Sequence, residues 1–151
     1  MAQSLSKIYV HLIFHIKYNS VEIRSADKGK LYAYIGSVIK SNESIPIVIN
    51  GTENHIHILC VMSKNIALAK FVEEIKRHSS RWIKIQDNYY KTFAWQGGYG
   101  GFSVSPSVHD KTKRYIENQE KHHQTMSFKD EYRMFLAEYQ IEYDERYVWD
   151  D

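Results

Sequence analysis

The stretch Asn54-His55-Ile56-His57-Ile58-Leu59-Cys60-Val61 decides how the rest of the chain is interpreted. It is rich in β-branched and long apolar residues and follows the turn-like residues 50–52, so it predicts a strand. Because side chains alternate along a strand, His55 and His57 share one face. Two imidazoles on one face can hold a single cation if another element supplies a third ligand. On spacing alone, a pair of ligand-free strand histidines is an equally good interpretation.

A second motif lies farther along the chain, in residues 110–123, which contain no glycine or proline. Ser107 and Asp110 form an S-x-x-D signal that predicts a helix start. Tyr115 and Gln119 are four residues apart, so on a helix they lie on the same face. A tyrosine phenol can act as a covalent nucleophile. A glutamine carbonyl is a hard oxygen ligand that suits Mg²⁺ or Mn²⁺.

The two motifs together resemble a known enzyme family. A His-hydrophobic-His strand followed by a Tyr-x-x-x-Gln helix is similar to the single-tyrosine HUH transposases of small bacterial insertion sequences, including the repeat-associated tyrosine transposases. The resemblance extends over nearly the whole chain. Besides His55 to His57, the matching segments are residues 31–36, 45–51, 79–82, 95–105, 114–123 and 143–147.

The resemblance implies a function for the motif residues. It implies a metal-dependent DNA transposase in which Tyr115 cuts and rejoins single-stranded DNA through a 5′-phosphotyrosine intermediate. His55, His57 and Gln119 would bind the divalent ion, Mg²⁺ or Mn²⁺. The DNA would carry hairpins near the element ends. The resemblance also implies a homodimer in which the histidines of one chain work with the tyrosine of the other.

The order of elements predicts the fold. Residues 8–16 alternate as a strand does, residues 27–42 and 66–85 have helical periodicity, and residues 45–49 pair with the histidine strand through the turn at Asn50-Gly51. A last strand lies around Phe102 and Val104, before the tyrosine helix. This order, with additional C-terminal helices, is that of an α+β ferredoxin-like sandwich, in which helices pack on a central antiparallel sheet.

Composition predicts a single domain over residues 1–151, since 43% hydrophobic and 25% charged residues are typical of a globular chain. The net charge of +2 divides unevenly, because residues 126–151 hold three Lys or Arg against eight Asp or Glu. The acidic C-terminal helix and tail thus leave a positive body that can attract a polyanion. The sequence has no candidate membrane span, and a single cysteine, Cys60, fits a cytoplasmic protein.

Basic residues on the polar side of the second long helix are candidates for tracking DNA phosphates. An ordinary solvated helix face is the alternative. The glycines between Gly97 and Gly101 are flanked by aromatic residues that could stack on bases or fill the core of an irregular hairpin. The candidate DNA-binding residues are Lys76, Arg77, Arg81, Lys84 and Arg114.

Two other functions stay open. The chain could be a domesticated protein that binds DNA hairpins without cutting them. It could also be a metal-dependent hydrolase that uses Glu120, His122 and His123, although a zinc site would need a further ligand. Because Tyr115 and all three ligand candidates are present, the sequence favours the active transposase.

Overall fold

The computed structural model describes residues 2–149 and is built around a four-stranded antiparallel sheet. The spatial order of the strands is β2-β3-β1-β4, so the histidine strand and the first strand occupy the centre. His15 lies directly opposite His55 in the register of β1 and β3. The strands are β1 (Ile8–His15), β2 (Ile45–Gly51), β3 (His55–Met62) and β4 (Gly100–Val104).

Helices cover both faces of this sheet. The prediction of an α+β ferredoxin-like sandwich is therefore confirmed. Two of the helices connect strands, and the other three follow β4. Short 3₁₀ turns at residues 25–27, 88–92 and 106–108 link the elements. The helices are α1 (Lys28–Ser41), α2 (Leu68–Gln86), α3 (His109–Glu117), α4 (Gln119–His122) and α5 (Phe128–Glu138).

The main core lies between the sheet and the pair α1 and α2. Leu12 and Phe14 of β1 and Ile58 of β3 are fully buried there, on the face that the alternating pattern assigns to the core. Each such side chain contributes about 1.5–3 kcal/mol of stability through burial. Phe71 is the matching fully buried residue of α2. This layer fixes the two central strands and thereby the positions of the histidines.

The opposite face of the sheet is covered by α3 and α5 and is only partly apolar. One cluster joins Ile13 to Tyr132 and Leu136 of α5, and another joins Leu59 and Ile116. Between these two clusters lie the histidines of the sheet, so the polar groups of β1 and β3 occupy the space under the C-terminal helices. The candidate site is therefore an interior site.

Gly51 allows the tight connection from β2 to β3. A Cβ atom at this position would lie 2.1 Å from the backbone oxygen of His55, which no side chain can tolerate. The backbone of Thr52 donates a hydrogen bond to the same oxygen, at 3.1 Å. A glycine is needed here because two backbones approach closely. The turn thus sets the register in which His55 begins β3.

The helical region after β4 differs from the sequence prediction at its start and in its middle. The prediction that Ser107 caps the helix is wrong, because α3 begins at His109 without a side-chain cap. The Ser107 hydroxyl instead lies 2.9 Å from that of Ser105. The helix also breaks at Asn118. Ser127 and Asp130 repeat the S-x-x-D signal, which predicts a helix start here as well, and this cap is confirmed: the Ser127 hydroxyl accepts a hydrogen bond from the backbone of Asp130 at the start of α5.

Residues 2–149 contain no helix that is long and apolar enough to cross a membrane.

Candidate active site

The two histidines of β3 form the floor of the candidate site, and both are fully buried. The Nδ1 atom of His57 lies 2.8 Å from Nε2 of His11 on the neighbouring strand. The Nδ1 atom of His55 lies 2.7 Å from Oδ1 of Asn54 and 2.9 Å from the hydroxyl oxygen of Thr52. These contacts orient both rings so that their Nε2 atoms point into the same space, which is the usual task of residues behind a metal-binding histidine.

Tyr115 and Gln119 come from α3 and α4, above the histidines of the same chain. The rings of Tyr115 and His57 are 6.1 Å apart, and the carbonyl oxygen of Gln119 lies 3.0 Å from Nε2 of His55. Asn50 of β2 holds this region in place by donating to the backbone oxygens of Ile116 at 2.9 Å and Glu117 at 3.2 Å. The tyrosine and the glutamine predicted from sequence thus meet the two histidines.

Glu131 of α5 lies at the centre of this group and is fully buried. One carboxylate oxygen accepts a hydrogen bond from Nε2 of His57 at 2.8 Å. The other accepts from the Tyr115 hydroxyl and, at 3.0 Å, from the side-chain amide of Gln119. Nε2 of His123 lies 3.2 Å from the first oxygen. Sequence reasoning missed Glu131, and its position in an ordinary amphipathic helix gives no signal of this role.

The group has the chemistry of a site for a divalent ion. Among residues 2–149, His55, His57 and Glu131 are the three side chains of suitable type whose ligand atoms all lie within 4.8 Å of one another. Gln119 points its amide nitrogen at Glu131, so its carbonyl oxygen faces His55. Mixed nitrogen and oxygen ligands suit several divalent ions, including Mn²⁺. The residues therefore fit a divalent ion, and Glu131 is a further candidate ligand beside His55 and His57.

The environment of His55 favours this interpretation. Thr52 donates its hydroxyl proton to Asn54, so Nδ1 of His55 faces two acceptor oxygens and carries the ring proton. Its Nε2 lone pair then faces the carbonyl oxygen of Gln119, another acceptor. Burial, followed by the nearby His57, lowers the pKa of His55 to about 3. At neutral pH, therefore, Nε2 of His55 carries no proton that could be donated to the Gln119 oxygen. A cation between the two acceptors would resolve this conflict.

Burial and hydrogen bonding control the other titratable groups. Burial, followed by the hydrogen bond to Glu131, raises the pKa of the Tyr115 phenol far above its usual value. Burial opposes the charge of Glu131, but the contacts with His57, Tyr115 and Gln119 outweigh it and hold the pKa of this carboxyl low. Burial lowers the pKa values of His57 and His11. At neutral pH the site therefore contains the Glu131 carboxylate, neutral imidazoles at His11, His55 and His57, and a neutral phenol.

The metal-binding part of the site is closed to solvent, whereas the Tyr115 side chain is partly exposed. His55, His57, Gln119 and Glu131 each have no exposed surface. Phe128 covers His55, with ring centres 4.4 Å apart, and Phe135 lies 5.7 Å from the Tyr115 ring. Both phenylalanines belong to α5, so this helix is the roof of the site.

The candidate DNA-binding residues do not gather around this site. Lys76, Arg77, Arg81 and Lys84 belong to α2, in the helix layer on the other side of the sheet. The ammonium of Lys76 contacts the backbone oxygens of Gln96 and Gly98, and burial lowers its pKa to about 8. Arg77 pairs with Glu74 at 2.6 Å. Arg81 and Lys84 are exposed on α2, and Arg114 is exposed on α3.

The three residues proposed for a hydrolase site point in different directions. Glu120 is exposed and pairs with Lys28 at 3.1 Å. The ring of His122 stacks on Tyr115 with centres 4.5 Å apart, whereas His123 faces Gln119 and Glu131. Their side chains do not converge on one point, and of the three only His123 contacts Gln119 and Glu131.

The chain matches a known protein family. The family described as IS200-like transposases matches residues 4–119, which is more than half of the chain. The chain belongs to this family. DNA transposition is the reaction of such transposases, and the matched region contains the two histidines, Tyr115 and Gln119. Glu131 and the whole of α5 lie outside it.

Two solved structures have the same fold as this transposase. One is a proposed transposase from Deinococcus radiodurans R1, with a TM-score of 0.59, 20% identity, and 79% of this chain and 98% of that chain covered. The other is a REP-associated tyrosine transposase bound to a REP hairpin, with a TM-score of 0.60, 12% identity, and 82% and 74% covered. A comparison with curated proteins gives no significant match.

Proposed function

We propose that this transposase cuts and rejoins single-stranded DNA with Tyr115 as the nucleophile. The observation that carries the proposal is the position of the phenol: the Tyr115 ring lies 6.1 Å from that of His57, beside the group formed by His55, His57 and Gln119, the ligands expected for a divalent ion. The chain that forms this pocket belongs to a family of transposases. A nucleophile beside a metal site is the arrangement that phosphoryl transfer requires.

The proposed reaction exchanges one phosphodiester for another. The phenolic oxygen of Tyr115 attacks phosphorus and releases its proton, and the bond from phosphorus to the 3′ oxygen breaks. The leaving 3′ oxygen takes up one proton and departs as a 3′-OH, which balances the proton that the phenol releases. The product is a 5′-phosphotyrosine, which a second 3′-OH can resolve without a nucleotide cofactor. A bound Mg²⁺ or Mn²⁺ would stabilise the negative charge that develops on the phosphate oxygens.

The residues of the chain would have separate tasks in this reaction. His55 and His57 would bind the ion, with their rings fixed by Asn54, Thr52 and His11. Gln119 would add a carbonyl oxygen. The exposed cations Arg81, Lys84 and Arg114 would contribute weak, salt-dependent contacts with DNA phosphates.

The proposal extends to the DNA and to the assembly. A REP hairpin is the partner of a structurally similar transposase, and this supports a hairpin-bearing single strand as the substrate here. We also propose that residues 1–151 act as one domain in a cytoplasmic homodimer whose active sites combine the histidines of one chain with Tyr115 of the other.

The experiment that tests the function is detection of the covalent intermediate. The purified chain would be mixed with hairpin-bearing single-stranded oligonucleotides and Mn²⁺ or Mg²⁺, and the protein–DNA adduct measured by denaturing electrophoresis. Tyr115→Phe is expected to remove the adduct while DNA affinity stays within a few-fold, because only one oxygen is lost. Tyr89→Phe, a tyrosine away from the site that donates to the backbone of Glu22, is the control and should behave as the unmodified chain does.

The same assay separates the enzyme from a domesticated hairpin-binding protein. An adduct that persists in Tyr115→Phe would contradict the role of this tyrosine. Tight hairpin binding by the unmodified chain, with no adduct under any metal condition, would instead favour the binding protein.

A further inference from the structure

His122 covers the ring of the proposed nucleophile. The ring centres of His122 and Tyr115 are 4.5 Å apart and their planes differ by 26°, so the imidazole stacks on the phenol. The stack joins α4 to α3 across the break at Asn118. A side chain on the face of the phenol ring restricts the directions in which the hydroxyl can point.

The same imidazole contains a buried nitrogen without a partner. Nε2 of His122 is inaccessible to solvent and has no hydrogen bond to any group of residues 2–149. A buried polar atom that lacks a partner destabilises a fold. A phenylalanine could stack on Tyr115 without this cost, so stability alone does not account for a histidine at this position.

The proposed reaction would supply the missing partner. When the phenolic oxygen of Tyr115 attacks, phosphorus comes to the edge of the tyrosine ring, and negative charge develops on the non-bridging oxygens. An ion bound by His55 and His57 can stabilise one of these oxygens. The other is free to accept a hydrogen bond from a group beside the tyrosine ring, and His122 is stacked on that ring.

We propose that His122 is a further catalytic residue, whose Nε2 donates a hydrogen bond to a non-bridging oxygen of the scissile phosphate. The inference rests on the proposed function, since it takes Tyr115 as the nucleophile. An imidazole nitrogen that carries the ring proton is a donor, and hydrogen bonds to a charged acceptor are the strong ones. Without DNA this nitrogen stays unpaired, and the stacked ring holds the phenol in place.

His122 is distinct from the candidate metal ligands. The contacts with Gln119 and Glu131 are made by the neighbouring His123. Because His122 and Tyr115 contact each other directly and lie on adjacent helices, the pair would stay together even if α3 and α4 moved to the histidines of another chain. The proposed role therefore does not depend on which chain supplies the metal site.

His122→Phe tests the nitrogen separately from the ring, because phenylalanine keeps the stack. The rate of covalent adduct formation with hairpin-bearing single-stranded DNA and Mn²⁺ is expected to fall about 10- to 100-fold, through loss of one hydrogen bond to a charged group. DNA affinity should stay within a few-fold, because this bond forms during attack. The midpoint of thermal unfolding should rise by about 2–4 °C, since an unpaired buried nitrogen is removed.

His109→Phe is the matched control for His122→Phe. His109 also lies on the tyrosine helix and also packs on an aromatic ring, that of Tyr9, with centres 5.0 Å apart. The chemical change is identical, but it occurs away from Tyr115. This variant should form the adduct at the rate of the unmodified chain.

A phosphorothioate substrate tests the identity of the partner. Sulfur in place of the non-bridging oxygen that faces His122 should slow the unmodified chain, because sulfur is a poor acceptor. The same sulfur should have little further effect on His122→Phe, since the contact is already missing. Mn²⁺ is used because it binds sulfur more readily than Mg²⁺ does. Equal slowing of both chains by each of the two phosphorothioate diastereomers would overturn the inference.

The remaining outcomes separate the inference from the function on which it rests. If His122→Phe forms the adduct at the normal rate while Tyr115→Phe forms none, the nitrogen has no part in the reaction and the inference fails alone. It also fails alone if the slower reaction comes entirely from weaker DNA binding, or is accompanied by a lower unfolding midpoint, since His122 would then act on binding or on the fold. If no chain forms an adduct, the proposed function fails and the inference fails with it.

Discussion

At the scale of single residues, the site depends on how each polar atom is satisfied. His57 donates from Nε2 to Glu131, because a carboxylate can only accept, and its Nδ1 accepts from His11. An ion bound by His57 and Glu131 would replace the proton that these two residues share. Leaving a buried carboxylate of this kind without partners would cost several kcal/mol, which explains why four side chains converge on Glu131.

The first prediction at this scale concerns the metal. EDTA is expected to stop cleavage and Mg²⁺ or Mn²⁺ to restore it. His57→Ala should lose both cleavage and Mn²⁺ binding, measured by titration calorimetry, because one of the ligands is gone. The substitution should also destabilise the fold by about 1–3 kcal/mol, since it leaves buried partners unpaired.

His78→Ala is the control for His57→Ala, because His78 lies on α2, on the other side of the sheet, and is 39% exposed. It should keep both cleavage and metal binding. Full activity of the unmodified chain in the presence of EDTA would remove the metal from the mechanism.

At the scale of elements, the break between α3 and α4 positions the nucleophile relative to the glutamine. Asn118 ends α3, and its side chain donates to the backbone oxygen of Arg114 at 2.9 Å. Asn50 of β2 donates to two further backbone oxygens at the end of α3. Carbonyls at the end of a helix lack partners within the helix, so these amides satisfy them and attach α3 to the sheet.

Asn50→Ala tests this attachment. Loss of two hydrogen bonds is expected to lower the free energy of unfolding by about 1–2 kcal/mol. It should also slow adduct formation, because Tyr115 would no longer be held at a fixed place above the histidines. Stability would be measured by chemical denaturation and the reaction by single-turnover kinetics.

Asn65→Ala serves as the comparison for Asn50→Ala, since it removes an exposed hydrogen bond to Glu43 away from the site. It should affect neither quantity measurably. If Asn50→Ala loses stability but reacts at the normal rate, the attachment contributes to the fold and not to the placement of Tyr115.

At the scale of the whole molecule, the question is which chain supplies the tyrosine. The structure brings Tyr115 over the histidines of its own chain, with Glu131 between them. The shared-site homodimer stays a prediction. It would require α3 to change direction at residues 105–108, between β4 and α3, the segment that contains Pro106. Such a change would also take Tyr115 away from Glu131.

Mixed dimers test this arrangement. A His57→Ala chain and a Tyr115→Phe chain are each expected to be inactive alone. If the sites are shared, the mixed dimer has one intact site, and adduct formation should partly return on mixing. Subunit exchange would be verified with differently tagged chains. No activity after verified exchange, or a monomer at the working concentration, would favour sites built within one chain.

Many structural features of this protein could be predicted from local patterns in its sequence. Alternation along residues 8–16 and 55–61 specifies which side chains share a face, because the side-chain period of a strand is fixed. For that reason the two histidines and the core face of β1 were predictable, and so was the cap at Ser127. The pairing of Tyr115 with Gln119 was predictable too, although the helix between them is broken, because one turn still separates the two side chains.

Tertiary structure alone decided what closes the site. Glu131 lies in a helix whose pattern, as sequence, differs little from that of any acidic surface helix, and its burial depends on how α5 packs across the sheet. Lys76 likewise has the sequence context of a solvated cation, but its ammonium donates hydrogen bonds to the backbone oxygens of Gln96 and Gly98. Local periodicity fixes the direction of a side chain relative to its own element. Which group it meets depends on contacts between distant elements, and no local pattern in the sequence encodes those.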